Sequence, residues 1–308
     1  PPPLFSCRRR HTRCQIQSRG LGDVYKRQVI LTASLVAINC SLMGSFLIMR
    51  KMVMIGDAIS HAVLPGIFIA YLVSDSTASL PILIGAASSG IIASIMIEWF
   101  TKKVRLQSDA SIGISYTFLF ALGVILISRF GQNVDLDQQC VLYGELEYVG
   151  LSLRPLAGLM VPQQAIILFS VCLLLLIAVI IGYKGLFVTT FDPAYAAATG
   201  VAVGFWHYLL MSGVSLTTVV SFESVGAILV ITFLAGPPAI AYLLTENLKQ
   251  LIILSCLIGI LCSIGGYYFA KAVDVSVAGA ISSTIGVAFV LVFLYTYILK
   301  RKAAVISH

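Results

Sequence analysis

Apolar residues fill this chain in nine runs, at 29–49, 53–73, 81–100, 111–128, 163–182, 201–220, 224–244, 250–270 and 276–298, separated mostly by short polar connections. Each run is close to the length of about 20 apolar residues that an α-helix needs to cross a bilayer. Backbone groups cannot be left unpaired in hydrocarbon, so runs of this kind are helices rather than open strands. The period-two alternation of an outer-membrane barrel is missing, and the stretch from Leu173 to Ile181 is apolar throughout. The pattern predicts an all-α, polytopic membrane protein with eight or nine transmembrane helices, its membrane domain spanning 29–302 and a short tail following at 303–308.

Composition agrees. Of 308 residues, 59% are hydrophobic and 11% charged, with a mean hydropathy of +0.98. Soluble domains carry roughly 45–50% apolar and about 25% charged residues. A disordered chain and an ordinary soluble enzyme are both excluded. The formal charge of +7 suggests an anionic partner until the charges are located. Residues 1–28 hold seven of the 20 Lys and Arg and one of the 13 acids, leaving 13 basic against 12 acidic residues in the rest. This segment resembles translated adapter sequence and is expected to be foreign to the protein, so it is set aside. The partner implied by the remainder is a lipid bilayer, not nucleic acid.

The Lys and Arg of the connections also orient the chain. One set of loops carries Arg50, Lys51, Lys102, Lys103, Arg105, Lys184, Lys249, Lys300, Arg301 and Lys302, and the opposite set carries Arg129, Arg154 and Lys271. The first set is expected in the cytoplasm, with the C-terminus beside it.

Small residues and prolines mark where helices meet or bend. Gly85-Ala86-Ala87-Ser88-Ser89-Gly90 makes a narrow face for close packing. Pro65 with Gly66, and Gly236 with Pro237 and Pro238, fall inside spans and are expected to kink or break them. Of seven cysteines, Cys7 and Cys14 lie in the first 28 residues. Cys40, Cys172, Cys256 and Cys262 lie in apolar runs, and only Cys140 is in a polar loop. No disulfide framework or zinc-finger spacing results.

Few ionisable groups fall within spans, which makes the exceptions informative. Asp57 and His61 are four residues apart, so both project from one helical face. A carboxylate and an imidazole suit Mn²⁺, Zn²⁺ or Fe²⁺. The spacing equally fits a neutral core histidine hydrogen-bonded to Asp57 without metal. Glu223, at the outer edge of the seventh run, is a further candidate ligand, a gate residue or an interfacial carboxylate. His207 follows Phe205 and Trp206 and reads with them as an aromatic interface belt. Asp135, Asp137, Glu145 and Glu147 make an acidic outer loop without an EF-hand pattern, either solvated or serving to dock a partner or draw cations to the mouth. The stretch 149–164 has no assigned role. The chain has no phosphate-binding loop of the G-x-x-x-x-G-K-[ST] type, so any ATP hydrolysis must come from another chain. Asp192 followed by Pro193 is a helix-start signal, and a short helix of small residues is expected over Ala194 to Thr199.

The run MIGDAISHAVLPG resembles a signature of the permease subunits of manganese, zinc and iron ABC importers, the family of ZnuB, MntB and TroC. SDASIGISYTFLFALGVILIS (108–128), VDLDQQCVLYGE (134–145), FDPAYAAATG (191–200) and VGAILVITFLAGPPAIAYLLT (225–245) resemble further segments of that family, in family order, over roughly residues 30 to 290. The resemblance implies an importer permease of a bacterial inner membrane that passes a divalent metal inward and holds no permanent cofactor. A separate ATPase, an extracytoplasmic metal-binding protein and a second permease chain, identical or paralogous, are implied as partners. It gives Asp57 and His61 the role of contacting the metal. Phe191, Asp192, Pro193, Ala197 and Gly200 become parts of a helix that couples to the ATPase. Two rivals are an ABC permease for a metal chelate such as a siderophore and a proton-coupled secondary carrier. An intramembrane metalloprotease would need an H-E-x-x-H element, which the chain lacks.

Overall fold

A computed structural model describes residues 19–74, 79–130, 153–156 and 159–306. Among the described residues nine long helices answer the nine apolar runs: α1 (Arg19–Met49), α2 (Met54–Ser74), α3 (Ser79–Lys102), α4 (Ser108–Phe130), α5 (Gln163–Phe191), α7 (Val203–Val225), α8 (Ala227–Leu244), α9 (Leu248–Val273) and α10 (Val277–Ile306). A tenth, short helix, α6 (Pro193–Ala198), lies between α5 and α7. Eight of the long helices are long and apolar enough to cross a membrane. The remaining one, α3, has 24 residues and packs between α2, α4 and α7. Helix α1 starts at Arg19, ten residues ahead of its apolar run.

The all-α membrane body carries one small addition. The stretch after Val149 that sequence reading left without a role contributes an antiparallel hairpin, β1 (Leu153–Leu156) paired to β2 (Leu159–Pro162), with Leu153 opposite Pro162. The acidic residues Asp135, Asp137, Glu145 and Glu147 lie outside the described residues.

Helix α1 is the hub. It packs against α5, α7, α8 and α9, and Val36, Ala37, Cys40, Phe46 and Leu47 are fully buried. Its polar positions point the same way: Asn39 donates to the Leu168 carbonyl at 3.1 Å, and the Ser45 hydroxyl lies 3.0 Å from that of Ser255. Helices α2, α3 and α4 form a second group, joined to the hub through α7. The four described cysteines Cys40, Cys172, Cys256 and Cys262 are free thiols.

Contact between helices is close because the facing residues are small. A Cβ added at Gly85 would collide with the Gly66 carbonyl and Ala70, and one at Gly66 would collide with the Gly85 carbonyl and Ser89. The Ser89 hydroxyl donates to the Ala62 carbonyl across the same contact. The narrow face read from Gly85 to Gly90 therefore meets α2 through Gly85 and Ser89 and α7 through Ala87 and Gly90.

The prolines do not interrupt their helices. Helix α2 runs continuously through Pro65, and α8 through Pro237 and Pro238. Each proline still removes one donor, which leaves the carbonyl four residues earlier without its helical partner. Those carbonyls belong to His61, Phe233 and Leu234. The Leu234 carbonyl abuts Gly44 of α1, where a Cβ would occupy its place. Pro65 packs on Gly123 of α4, 3.0 Å from where a Cβ would stand.

A break in helical pairing falls at the junction of α7 and α8. Gly226, at φ 82° and ψ 166°, is the sole residue between α7 and α8. That backbone conformation is essentially open only to glycine. As a result Glu223 lies in the last turn of α7, the helix of the sixth apolar run, rather than at the start of the seventh.

The α2–α3 seam yields a test. Gly85→Leu forces side-chain atoms into the Gly66 backbone, and overpacking of this kind costs about 1–3 kcal/mol. Its melting temperature in detergent should fall measurably below that of the parent; an unchanged value would mean the two helices do not meet there.

Candidate metal-transfer site

Asp57 and His61 stand in the first two turns of α2, immediately after the turn Arg50–Val53. Their spacing puts both on one face, with His61 Nε2 3.5 Å from Asp57 Oδ1. The opposite face, Ala58, Ile59 and Ala62, is buried. The His61 and Asp57 side chains keep 39% and 32% of their surface exposed, so the pair is open to a ligand from within this single chain. Two rings of α4 flank the imidazole: Tyr116 at 6.0 Å between centroids and Phe120 at 5.8 Å, edge on. A separation of 3.5 Å exceeds a closed N–H···O bond, which lets both groups turn toward one ion.

No cluster of three His, Cys, Asp or Glu side chains occurs among the described residues. Asp57 and His61 are therefore at most two candidate ligands, with no third such side chain beside them in the described residues. The His61 carbonyl, deprived of its helical donor by Pro65, adds one backbone oxygen to the same turn. Glu223 is in helix α7, and its side chain lies outside the described residues.

The coupling-helix candidate forms as its sequence predicts. Asp192 caps α6, its Oδ1 accepting from the Tyr195 amide at 2.8 Å, and Pro193 takes the first position. Gly200, at φ 80°, turns the chain out of it. Ala196 is the buried anchor, while Phe191, Pro193, Ala197 and especially Tyr195, 59% exposed, face outward. Tyr183, Phe187 and Phe191 form an aromatic ladder along α5 that leads to this helix.

Sequence reading missed one constellation altogether. Arg50 was legible only as one of the basic residues that orient the chain. In the structure its Nε donates to Thr190 Oγ1 at 3.1 Å and its Nη2 to Thr189 Oγ1 at 3.1 Å, and its Nη1 meets His207 Nδ1 at 3.3 Å. Thr189 and Thr190 close α5, and His207 is in the first turns of α7. The belt reading of Phe205, Trp206 and His207 thus holds only for Phe205, which is 61% exposed. Trp206 instead covers Gly182 and Gly185 of α5, and His207 faces Arg50. Partners 139 to 157 residues away leave no trace in local spacing. Burial pushes the Arg50 guanidinium below its usual value, yet arginine starts high enough to stay charged at neutral pH.

Residues 23–296 match the model of the ABC 3 transport family. The chain is 42% identical over 273 residues to the manganese transport system membrane protein MntD of Bacillus subtilis (strain 168), covering 88% of this chain and 92% of that protein. It is 38% identical to the zinc transport system membrane protein TroD of Treponema pallidum (strain Nichols), covering 87% and 73%. Among solved structures, PsaBC from Streptococcus pneumoniae in complex with Fab superposes with a TM-score of 0.72 at 32% identity, over 90% of this chain and 92% of that one.

The α6 cap is open to direct measurement. Removing an N-cap side chain costs about 1 kcal/mol. In Asp192→Ala the Tyr195 amide loses its acceptor, and hydrogen exchange at Tyr195 and its neighbours should quicken about fivefold. Unchanged exchange would show that the cap does not hold the helix.

Proposed function

From the premise that this chain belongs to the ABC 3 transport family, we propose that it is the membrane-spanning subunit through which an ATP-binding cassette importer passes a divalent transition metal inward. It is a transport subunit and not an enzyme. The observation that carries the metal reading is the Asp57–His61 pair: two hard-to-borderline ligands one turn apart, partly exposed, with a spare carbonyl in the same turn. Transport requires release as well as capture, and two side chains from one chain bind an ion reversibly where a closed four-ligand site would retain it. The missing ligands come from a second permease chain facing the first across the open side of α2. Relatives named for manganese and zinc support those two ions. Iron rests on the ligand chemistry alone.

The rest of the assembly follows from the same reading. ATP is hydrolysed on a separate subunit that receives α6 through its exposed face, Phe191, Pro193, Tyr195 and Ala197. An extracytoplasmic metal-binding protein delivers the ion, and the acidic loop of Asp135 and Asp137 draws cations to the mouth. The subunit resides in a bacterial inner membrane with its basic connections and C-terminus in the cytoplasm.

Uptake of radiolabelled manganese and zinc into proteoliposomes holding the whole transporter tests the site. Asp57→Ala and His61→Ala should each reduce uptake about 100-fold, equivalent to about 2.7 kcal/mol of lost ligation. Normal uptake by both variants would sink the assignment. Ligation also needs a neutral ring, so protons compete with the metal. Uptake should therefore fall as the medium is made acidic. An acid-insensitive rate would argue against His61 as ligand.

A further inference from the structure

The turn that launches α2 is tied to the end of α5 by a single side chain. Helix α1 ends in a Schellman arrangement: the Met52 amide bonds to the Leu47 carbonyl at 2.9 Å and the Lys51 amide to the Ile48 carbonyl at 2.9 Å. Lys51 takes the left-handed conformation, φ 57°, that this motif requires. The cap residue itself is Arg50, whose side chain leaves the turn sideways. All three of its guanidinium nitrogens are engaged, two by Thr189 and Thr190 and one by His207. His207 must accept there, since the arginine has only donors.

Three features make this contact more than local packing. No carboxylate bridges Arg50 among the described residues, so its charge is held by hydroxyls and an imidazole on other helices. Thr189 also bonds back to the Gly185 carbonyl at 2.8 Å, which fastens the contact to the body of α5. Most importantly, Thr190 is separated from α6 only by Phe191 and Asp192, and the Asp192 and Ala196 backbones bond continuously across that junction. On the other side, Arg50 stands seven residues before Asp57, with the Met52 and Val53 carbonyls accepting from Ile55 and Gly56 at the start of α2. One rigid line therefore runs from α6 through the last turn of α5, across the guanidinium, to the helix that carries Asp57 and His61.

We infer that Arg50 is the positioning residue that transmits movement of α6 to α2, converting displacement at the ATPase-facing helix into reorientation of the Asp57–His61 pair. It does not touch the ion. A planar fork with donors in fixed directions suits this task, because it resists rotation about any one bond in a way that a lysine ammonium does not. The contact with His207 adds α7, which packs on α2 and α3, to the same displacement.

The inference rests on α6 being the ATPase-coupling helix, and the test separates the two. The whole transporter, with its ATPase and binding protein, is reconstituted in liposomes, and manganese uptake and ATP hydrolysis are read on the same samples. Arg50→Gln should keep hydrolysis within about twofold of the parent while uptake per ATP falls roughly tenfold or more, the loss expected for charge-assisted hydrogen bonds. Arg50→Lys should fall between the two. The double variant Thr189→Val with Thr190→Val, which leaves every charge in place, should reproduce the loss of uptake per ATP. It carries the test alone if Arg50→Gln fails to accumulate in the membrane. Uptake and hydrolysis declining in equal proportion, or uptake per ATP unchanged in the threonine variant, would overturn the inference. Ala197→Arg, placed on the exposed face of α6, tests the underlying reading: undiminished hydrolysis and uptake there would refute the coupling helix itself, whatever Arg50 does.

Discussion

Hydrocarbon offers no water to pair a backbone N–H or C=O, and that constraint orders this molecule. It makes every membrane run a helix, and it makes each departure from helical pairing conspicuous. Among the described residues, Pro65, Pro237 and Pro238 within helices and Gly226 between α7 and α8 are such departures. The freed Leu234 carbonyl is covered by Gly44, whose missing side chain lets α1 approach α8 to backbone contact. The freed His61 carbonyl belongs to the turn that carries Asp57 and His61. A packing solution serves the first breach, while the second leaves a backbone oxygen beside two partly exposed ionisable side chains.

Without a hydrophobic driving force between helices inside lipid, close approach through small residues supplies much of the cohesion. The Gly66–Gly85 seam does this for α2 and α3, and it also sets which face of α2 is left. It commits one face of α2 to α3 and leaves the Asp57–His61 face toward α4, where Tyr116 and Phe120 flank the imidazole. The pair is thereby held but not enclosed. Half-exposed ionisable groups inside a membrane helix are costly unless a partner or ion meets them, which is the physical reason to read this face as a site and not as core.

The basic end of the bundle shows a different economy. Arg50 was expected only to orient the chain, yet its guanidinium joins three helices whose ends must meet at one level. That contact is independent structural support for placing the α1–α2 turn, the end of α5 and the start of α7 at the same end of the bundle. It also relocates His207 from an interfacial belt to a partner of Arg50, while Trp206 fills the groove over Gly182 and Gly185. Aromatic residues at a helix start look alike in sequence whether they face lipid or a neighbouring glycine.

Local chemistry determined much of this protein before any packing was known. Run length and composition pointed to nine helices and an all-α membrane body, because apolar length decides which segments enter lipid and every backbone group there must be paired. Capping rules placed α6 through Asp192 and Pro193, and helical periodicity put Asp57 and His61 on one face. Tertiary structure decided what periodicity cannot encode. It kept α2 and α8 continuous through their prolines, set a chain break at Gly226, assigned Glu223 to α7 and paired Leu153–Leu156 with Leu159–Pro162. It also brought Arg50 to threonines nearly 140 residues away. These outcomes depend on which helices become neighbours, a property of the packed bundle as a whole and not of any one segment.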